Sequence, residues 1–329
     1  MQTLIRKIDK NSLKIAKEIL LNGGNIGMPT ETVYGLAGDG TNEKAVENIF
    51  AVKGRPSDNP LIAHVHKDYD LSTLVHIRHN YVYDLIKKYM PGPLTLVLES
   101  KGVVCEKAVC GGGTLAIRMP AHKGCRKLLK LVNVPIVAPS ANLSKHTSPV
   151  TAQHVYNDLN GKIPLILDGG KSTGGIESTV LDVTEKVPRI LRAGLITKEM
   201  IEKVVGACEI AYHQDGDKVK SPGVKYKHYR PKCETALFSR QEIAKAEELY
   251  DRYVADGKIP FIMCDDKTAK LFKGKRILNL GKSGKEIASN LYEKLLEGES
   301  KADIIIALSF DREDGVFMGI MNRLRKSCG

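Results

Sequence analysis

Apolar residues recur along this chain in two alternating rhythms, and the switches between them mark out its elements. Ile15, Ile19 and Leu20 share one face of a helix that Ser12 is placed to cap and that Gly23-Gly24 ends. NIGMPT then reads as a strand. A second helix carries Ala45, Val46, Ile49 and Phe50 on one face, with Asn42 at its cap and Lys53 at its C-terminal end. LIAHVH is a short strand, NYVYDLIKKYM a helix stopped by Pro91-Gly92-Pro93, and LTLVLES another strand. Beyond Gly111-Gly112-Gly113 come the strand TLAIRMP, a helix around CRKLLKLV and the apolar run VPIVA. IPLILD, STVLDV and RILRA are further strands, with a helix near ITKEMIEKVVG. Helices and strands mix without strict alternation, which predicts a twisted, mixed α/β sheet over residues 1–206.

Residues 207–231 lack this periodicity. The stretch Lys218 to Lys232 has six Lys or Arg and no acid, and Pro222-Gly223 and Pro231 favour an extended path. Tyr226 and Tyr229 argue against a purely disordered linker, so the segment is expected to be a basic connector that folds over a site as a lid. From residue 232 to 329 the strands IPFIMC, RILNL and DIIIALSF alternate with three helices. That pattern predicts a smaller, mostly parallel, Rossmann-like α/β domain.

Composition narrows the function. At 329 residues the chain is long enough for two domains, and 42% hydrophobic with 27% charged residues is ordinary for a soluble protein. A net charge of +12 calls for anionic company, nucleotides or nucleic acid, and the absence of a basic amphipathic helix with an aromatic face argues against a membrane surface. Seven scattered cysteines without a CxxC pair, and an N-terminus without an apolar run, predict a reduced cytoplasmic protein.

Four clusters carry candidate chemistry. PTETVYGLAGDG offers hydroxyls at Thr30, Thr32 and Tyr34, and KGRPSDNPL joins Lys53 and Arg55, a compact charge and a rigid donor fork suited to phosphate. APSAN puts Ser140 and Asn142 in a polar turn at the end of a buried strand, a favoured ligand position. TLAIRMP sets Thr114 and Arg118 on one strand face, and a buried Arg there needs an anion. GGKSTGGIESTVLD brings Ser178 and Thr179 after a Gly-rich turn, with Arg192 beyond. Neither Gly170-Lys171-Ser172 nor Gly281-Lys282-Ser283 is a Walker loop, because Leu165 and Arg276 stand where the first Gly is required. His64 and His66 share a strand face but have no third metal ligand, and no Ser-His-Asp set or carboxylate pair stands out. The site reads as one that positions polar reactants.

In their order PTETVYGL, K-x-R-x-x-x-NPL, PGPLTL, AIRMP, APSAN and ES-TV-LD resemble the YrdC-like threonylcarbamoyl-AMP synthases. SPGVKYKHYRP resembles the linker of the longer, two-domain members, and GVFMGIMNRLRK the end of their C-terminal domain. The resemblance implies a YrdC-like domain and a nucleotidyltransferase that condenses L-threonine, bicarbonate and ATP, with Mg²⁺, into threonylcarbamoyl-AMP and pyrophosphate. A partner threonylcarbamoyl transferase then modifies tRNA, with a weak tRNA contact by this chain expected. It also implies site residues. Thr32, His64, Arg118, Ala138 and Ser178 would line the threonine pocket, while Arg55, Asn59, Thr114, Ser140, Asn142, Ser148 and Arg192 would hold ATP with Lys53 nearby. Tyr229 would lie over the nucleotide, with Tyr226 the alternative in this register. No protein metal ligand and no general base is assigned. Two rivals remain: an RNA-binding module without catalysis, which the 5% aromatic content disfavours, and carbamoyl transfer from carbamoyl phosphate, without the Cys-rich segments expected beside it.

Overall fold

The computed structural model describes residues 2–56, 58–211 and 229–329. Among them, sixteen strands fall into two sheets. In chain order the first twelve are β1 (Leu4–Lys7), β2 (Ile26–Met28), β3 (Gly35–Asp39), β4 (Ile62–His64), β5 (Val75–His76), β6 (Leu94–Ser100), β7 (Thr114–Arg118), β8 (Ile136–Val137), β9 (Leu165–Asp168), β10 (Thr179–Asp182), β11 (Arg189–Arg192) and β12 (Glu209–Ile210). They form one sheet in the spatial order β1-β9-β2-β3-β8-β4-β7-β6-β10-β11-β12, with β5 on β6. The sheet is mixed. β4 runs parallel to β7, while β8 is antiparallel to β3 and β4, and β7 is antiparallel to β6. Register lines up Ile136, His64, Arg118 and Thr95 as one row across β8, β4, β7 and β6. That row lies at the carboxyl ends of the parallel pair β4 and β7, where open α/β sheets collect ligands.

The helices form where the apolar spacing placed them, with one change of cap. Asp9, not Ser12, caps helix Lys10–Leu21, and Ser12 sits at the third position, where its Oγ accepts from the Asp9 backbone N–H in a reciprocal capping box. Asn42 caps Glu43–Lys53 through Ala45, and Gly54 ends that helix in the left-handed conformation at φ 59°. Several elements escape the periodicity reading, among them β5, β12 and the short helix Glu106–Val109. β1 is exposed at all four positions and has no buried stripe, β3 (GLAGD) reads as a turn because its residues are small, and helix Ala152–Leu159 is short.

The second sheet holds β13 (Glu234–Phe238), β14 (Pro260–Cys264), β15 (Ile277–Asn279) and β16 (Ile304–Leu308) in the order β13-β16-β14-β15, all parallel. Helix Gly284–Glu299 buries Ile287, Leu291, Tyr292 and Leu295, and helix Val316–Cys328 buries Phe317, Ile320, Met321 and Leu324. These side chains share an apolar cluster with Val33, Val150 and Ile176 of the first sheet's loops, so the two sheets meet through a common core. The stretch 207–231 is not all connector: β12 adds to β11 as a parallel edge strand, and Tyr229 is buried in the shared cluster. Tyr226 and most of the basic run lie outside the described residues.

Candidate active site

A cavity of about 660 Å³, counted with its open mouth, lies at the carboxyl ends of β4 and β7. Thr32, Arg55, His64, Arg118, Ala138, Ser140, Asn142, Ser148, Ser178, Arg192 and Tyr229 all line it, although they span almost two hundred positions of sequence. Three expected residues do not. Thr114 begins the strand that Arg118 ends, roughly 13 Å away at 3.3 Å per residue, and faces Glu99 in the ladder. Asn59 is buried with neither side-chain polar atom hydrogen-bonded, beside the carbonyl by which its backbone holds Arg55. Lys53 points inward, and its ammonium donates to the carbonyls of Ser140 and Asn142. Burial, and then the nearby Arg55, push its pKa well below the usual lysine range. Lys53 therefore anchors the Ser140–Asn142 turn from behind.

Arg118 is held from three sides. Nη1 donates to Thr32 Oγ1 at 2.7 Å, Nη2 to Glu31 Oε1 at 2.6 Å, and Nε to the Gly92 carbonyl at 3.3 Å. Glu31 Oε2 also accepts from the Ala121 amide at 2.9 Å. Burial alone would raise the Glu31 pKa, but the Arg118 charge and these hydrogen bonds outweigh it and hold the carboxylate ionised. Of the five guanidinium N–H groups, three are thus engaged, leaving one on each terminal nitrogen for a ligand. His64, beside Arg118 in the row, sends Nδ1–H to the Ile62 carbonyl at 3.0 Å. Burial, reinforced by Arg118, lowers its pKa to about 3, so it stays neutral and presents Nε2 as an acceptor. His66 lies past the end of β4 and bonds Asn133 on the surface, so the two histidines form no pair. Among the described residues, no group of three or more His, Cys, Asp or Glu could hold a metal.

A second group gathers around Arg55. Burial above all, with Arg192 adding to it, brings its pKa down to about 10, so it is still protonated at neutral pH. Its Nε is buried without a hydrogen-bond partner, as is Asn142 Oδ1. Arg192 donates through Nε to the Ser178 carbonyl at 3.1 Å and through Nη2 to Ser178 Oγ at 3.2 Å. Ser178 Oγ in turn meets Thr95 Oγ1 at 2.7 Å. Glu177, which the motif reading did not single out, lines the same wall and accepts the Ser148 hydroxyl at 2.7 Å. Its sequence signal is an acid set between a Gly-rich turn and an apolar strand.

Residues 18–194 match the family model described as telomere recombination, which covers Sua5, YciO and YrdC. Residues 196–329 match the C-terminal domain of threonylcarbamoyl-AMP synthase. A threonylcarbamoyl-AMP synthase of Pyrococcus abyssi is 39% identical over 330 residues, covering 98% of this chain and 96% of its own length. The chain belongs to the threonylcarbamoyl-AMP synthase family. A second synthase, from Bacillus subtilis, is 38% identical over 98% of this chain and 95% of its own length. The solved structure of P. abyssi Sua5 complexed with L-threonine superposes with a TM-score of 0.90 at 39% identity, covering 99% of this chain and 96% of that one. E. coli YciO, at a TM-score of 0.52 and 23% identity over 59% of this chain, shares the fold of part of the molecule. Within the synthase family this chain is of the two-domain type.

Proposed function

We propose that the cavity binds L-threonine at the Arg118–His64 group and ATP at the Arg55–Arg192–Tyr229 group, and joins them through bicarbonate. The activity is that of the family: formation of threonylcarbamoyl-AMP. The observation that carries the division is the pair of unsatisfied cations. Arg118 keeps one N–H on each terminal nitrogen, a fork matched to a carboxylate. Arg55 keeps a buried Nε with no partner, which a phosphate oxygen would satisfy. His64 Nε2 would accept a hydrogen bond from the threonine ammonium or hydroxyl.

The chemistry then follows in two balanced steps. The threonine amine attacks the bicarbonate carbon, and water leaves, giving an N-carboxy threonine. A carboxylate oxygen of that species attacks the α-phosphorus of ATP, and pyrophosphate leaves. Water destroys the first product readily, so enclosure and alignment are what the protein contributes. Arg55 and Arg192 would offset the charge that gathers on the departing pyrophosphate. Mg²⁺, the metal expected with ATP, takes hard oxygen ligands, chiefly phosphate and water in such sites, and the buried Asn142 Oδ1, which has no hydrogen-bond partner, would be available to join them. When bound, it would neutralise phosphate charge. The product would pass to the threonylcarbamoyl transferase that modifies tRNA. A weak tRNA contact would fall on the groove lined by Lys123, Arg126, Lys127 and Lys130. No helix among the described residues is long and apolar enough to cross a membrane, and seven free cysteines support a reducing, cytoplasmic setting.

The test is to incubate the protein with ATP, Mg²⁺ and bicarbonate, with and without L-threonine, and follow pyrophosphate and nucleotide products. Pyrophosphate that needs both threonine and bicarbonate, with a labile threonylcarbamoyl-adenylate, is expected. Folded, ATP-binding protein that releases none would overturn the proposal.

A further inference from the structure

Arg323 is a fully buried arginine, and it comes from helix Val316–Cys328, outside the sheet that carries the cavity. Burying a guanidinium is costly unless it is paired and hydrogen-bonded, so its partners tell what it does. Nε donates to Glu177 Oε2 at 3.1 Å, and Nη1 to the carbonyl of Ala193, next to Arg192, at 2.5 Å. Tyr292, from helix Gly284–Glu299, donates its hydroxyl to the same carboxylate at 3.0 Å. Its ring stacks on Tyr229 with centroids 5.3 Å apart. Glu177 passes this restraint on by accepting the Ser148 hydroxyl.

Two side chains of the C-terminal unit thus converge on one carboxylate whose neighbours are Ser148, Arg192 and Tyr229. The side-chain hydrogen bonds of Arg118 and Thr32 among the described residues, by contrast, stay within residues 30–118. Cohesion between the units does not require a buried ion pair, since Leu291, Phe317, Ile320 and Leu324 already share an apolar cluster with Val33, Val150 and Ile176.

We infer that Arg323 and Tyr292 are positioning residues for the nucleotide half of the reaction, acting through Glu177 on Ser148 and Arg192 and through the Tyr292 ring on Tyr229. The inference rests on the assignment of that end of the cavity to ATP. It gives the C-terminal unit a part in ATP use.

Full-length Tyr292→Phe, Glu177→Gln, Arg323→Lys and the double variant Tyr292→Phe/Glu177→Gln separate the possibilities. The readouts are KM for ATP, kcat/KM for ATP, and threonine affinity by calorimetry without ATP. Tyr292→Phe keeps the ring and loses the hydroxyl, so kcat/KM for ATP is expected to fall roughly tenfold, the worth of one hydrogen bond to a charged group, with threonine affinity unchanged. Arg323→Lys keeps the charge and loses the fork, and a larger loss of the same kind is expected. The double variant should be no worse than Glu177→Gln alone, because both changes act through one carboxylate. Folded Tyr292→Phe with parental ATP parameters would overturn the inference, as would an equal loss of ATP use and threonine affinity. If Arg323→Lys does not fold, Tyr292→Phe decides. A parent protein that binds threonine but releases no threonine-dependent pyrophosphate would instead overturn the functional reading beneath it, before any variant is compared.

Discussion

Replacing Glu31 by Gln probes how the cavity readies Arg118 for a carboxylate. The two side chains are 13% and 4% exposed, and Glu31 bridges Arg118 Nη2 at 2.6 Å and the Ala121 amide at 2.9 Å. An amide of the same shape satisfies only one of these donors, since its NH₂ faces the other whichever way it turns. Losing a hydrogen bond to a charged group costs about 1.5–3 kcal/mol. The larger penalty of a fully unpaired buried charge is not reached, because Thr32 Oγ1 and the Gly92 carbonyl still accept from Arg118. For 329 residues the entropy of unfolding is roughly 0.7 kcal/mol/K, so Tm should fall by ~2–4 °C. On the proposed assignment of Arg118 to the threonine carboxylate, bound threonine would restore the missing counter-ion. Melts recorded with and without saturating L-threonine should therefore show a larger ligand-induced rise for Glu31→Gln than for the parent. A rise no larger than the parental one would refute the reasoning, because Arg118 would then not share its charge between Glu31 and the ligand.

Other perturbations test other parts of the site. Burial would raise the Glu177 pKa, but Arg323, Arg192 and Ser148 hold it at about 2, below its ordinary 4.5. Its stabilising contribution is then present above pH ~4.5 and lost as pH falls toward 2, on the order of 3 kcal/mol, and Glu177→Gln should flatten acid-unfolding curves across that window. His64, held at about 3, should show ring resonances of the neutral form from pH 8 to 5, and an inflection near pH 6.5 that His64→Gln abolishes would contradict this. Lys53→Met removes the donors that hold the Ser140 and Asn142 carbonyls, so KM for ATP should rise by about tenfold or more with threonine affinity little changed. Gly175 has φ 72°, and a Cβ there would lie 2.3 Å from the Ala288 carbonyl oxygen, so Gly175→Ala should cost about 2 kcal/mol or more in denaturant titrations.

The sequence carried the helices and buried strands because their apolar spacing is local. Helix Glu43–Lys53 is legible from its stripe and from Asn42, down to the placement of Lys53 at its end. What Lys53 touches is not legible, since the carbonyls it holds lie 87 and 89 residues onward. Alternation put His64 and His66 on one face, and it failed there because β4 stops at His64. The same alternation kept Thr114 with Arg118 but says nothing of a strand length that carries them apart. β1 and β3 were opaque for opposite reasons, the one exposed throughout and the other built of residues too small to signal a strand. The motif order, through its family resemblance, grouped residues from Thr32 to Tyr229 where spacing could not. It passed over Glu31 and Glu177, whose roles depend on partners 87 and 146 positions away.

A boundary in the chain near residue 231 is not a boundary in free energy. Val33, Val150 and Ile176 belong to the first sheet's loops, yet they are kept dry by side chains of the last two helices. At about 1.5–3 kcal/mol for each aliphatic side chain returned to water, wetting these three alone would cost roughly 5–9 kcal/mol. That is comparable with the whole stability of many domains, about 5–15 kcal/mol. The two sheets are thus expected to melt together in a single calorimetric transition, and the wall formed by Glu177 and Tyr229 to be lost with either of them.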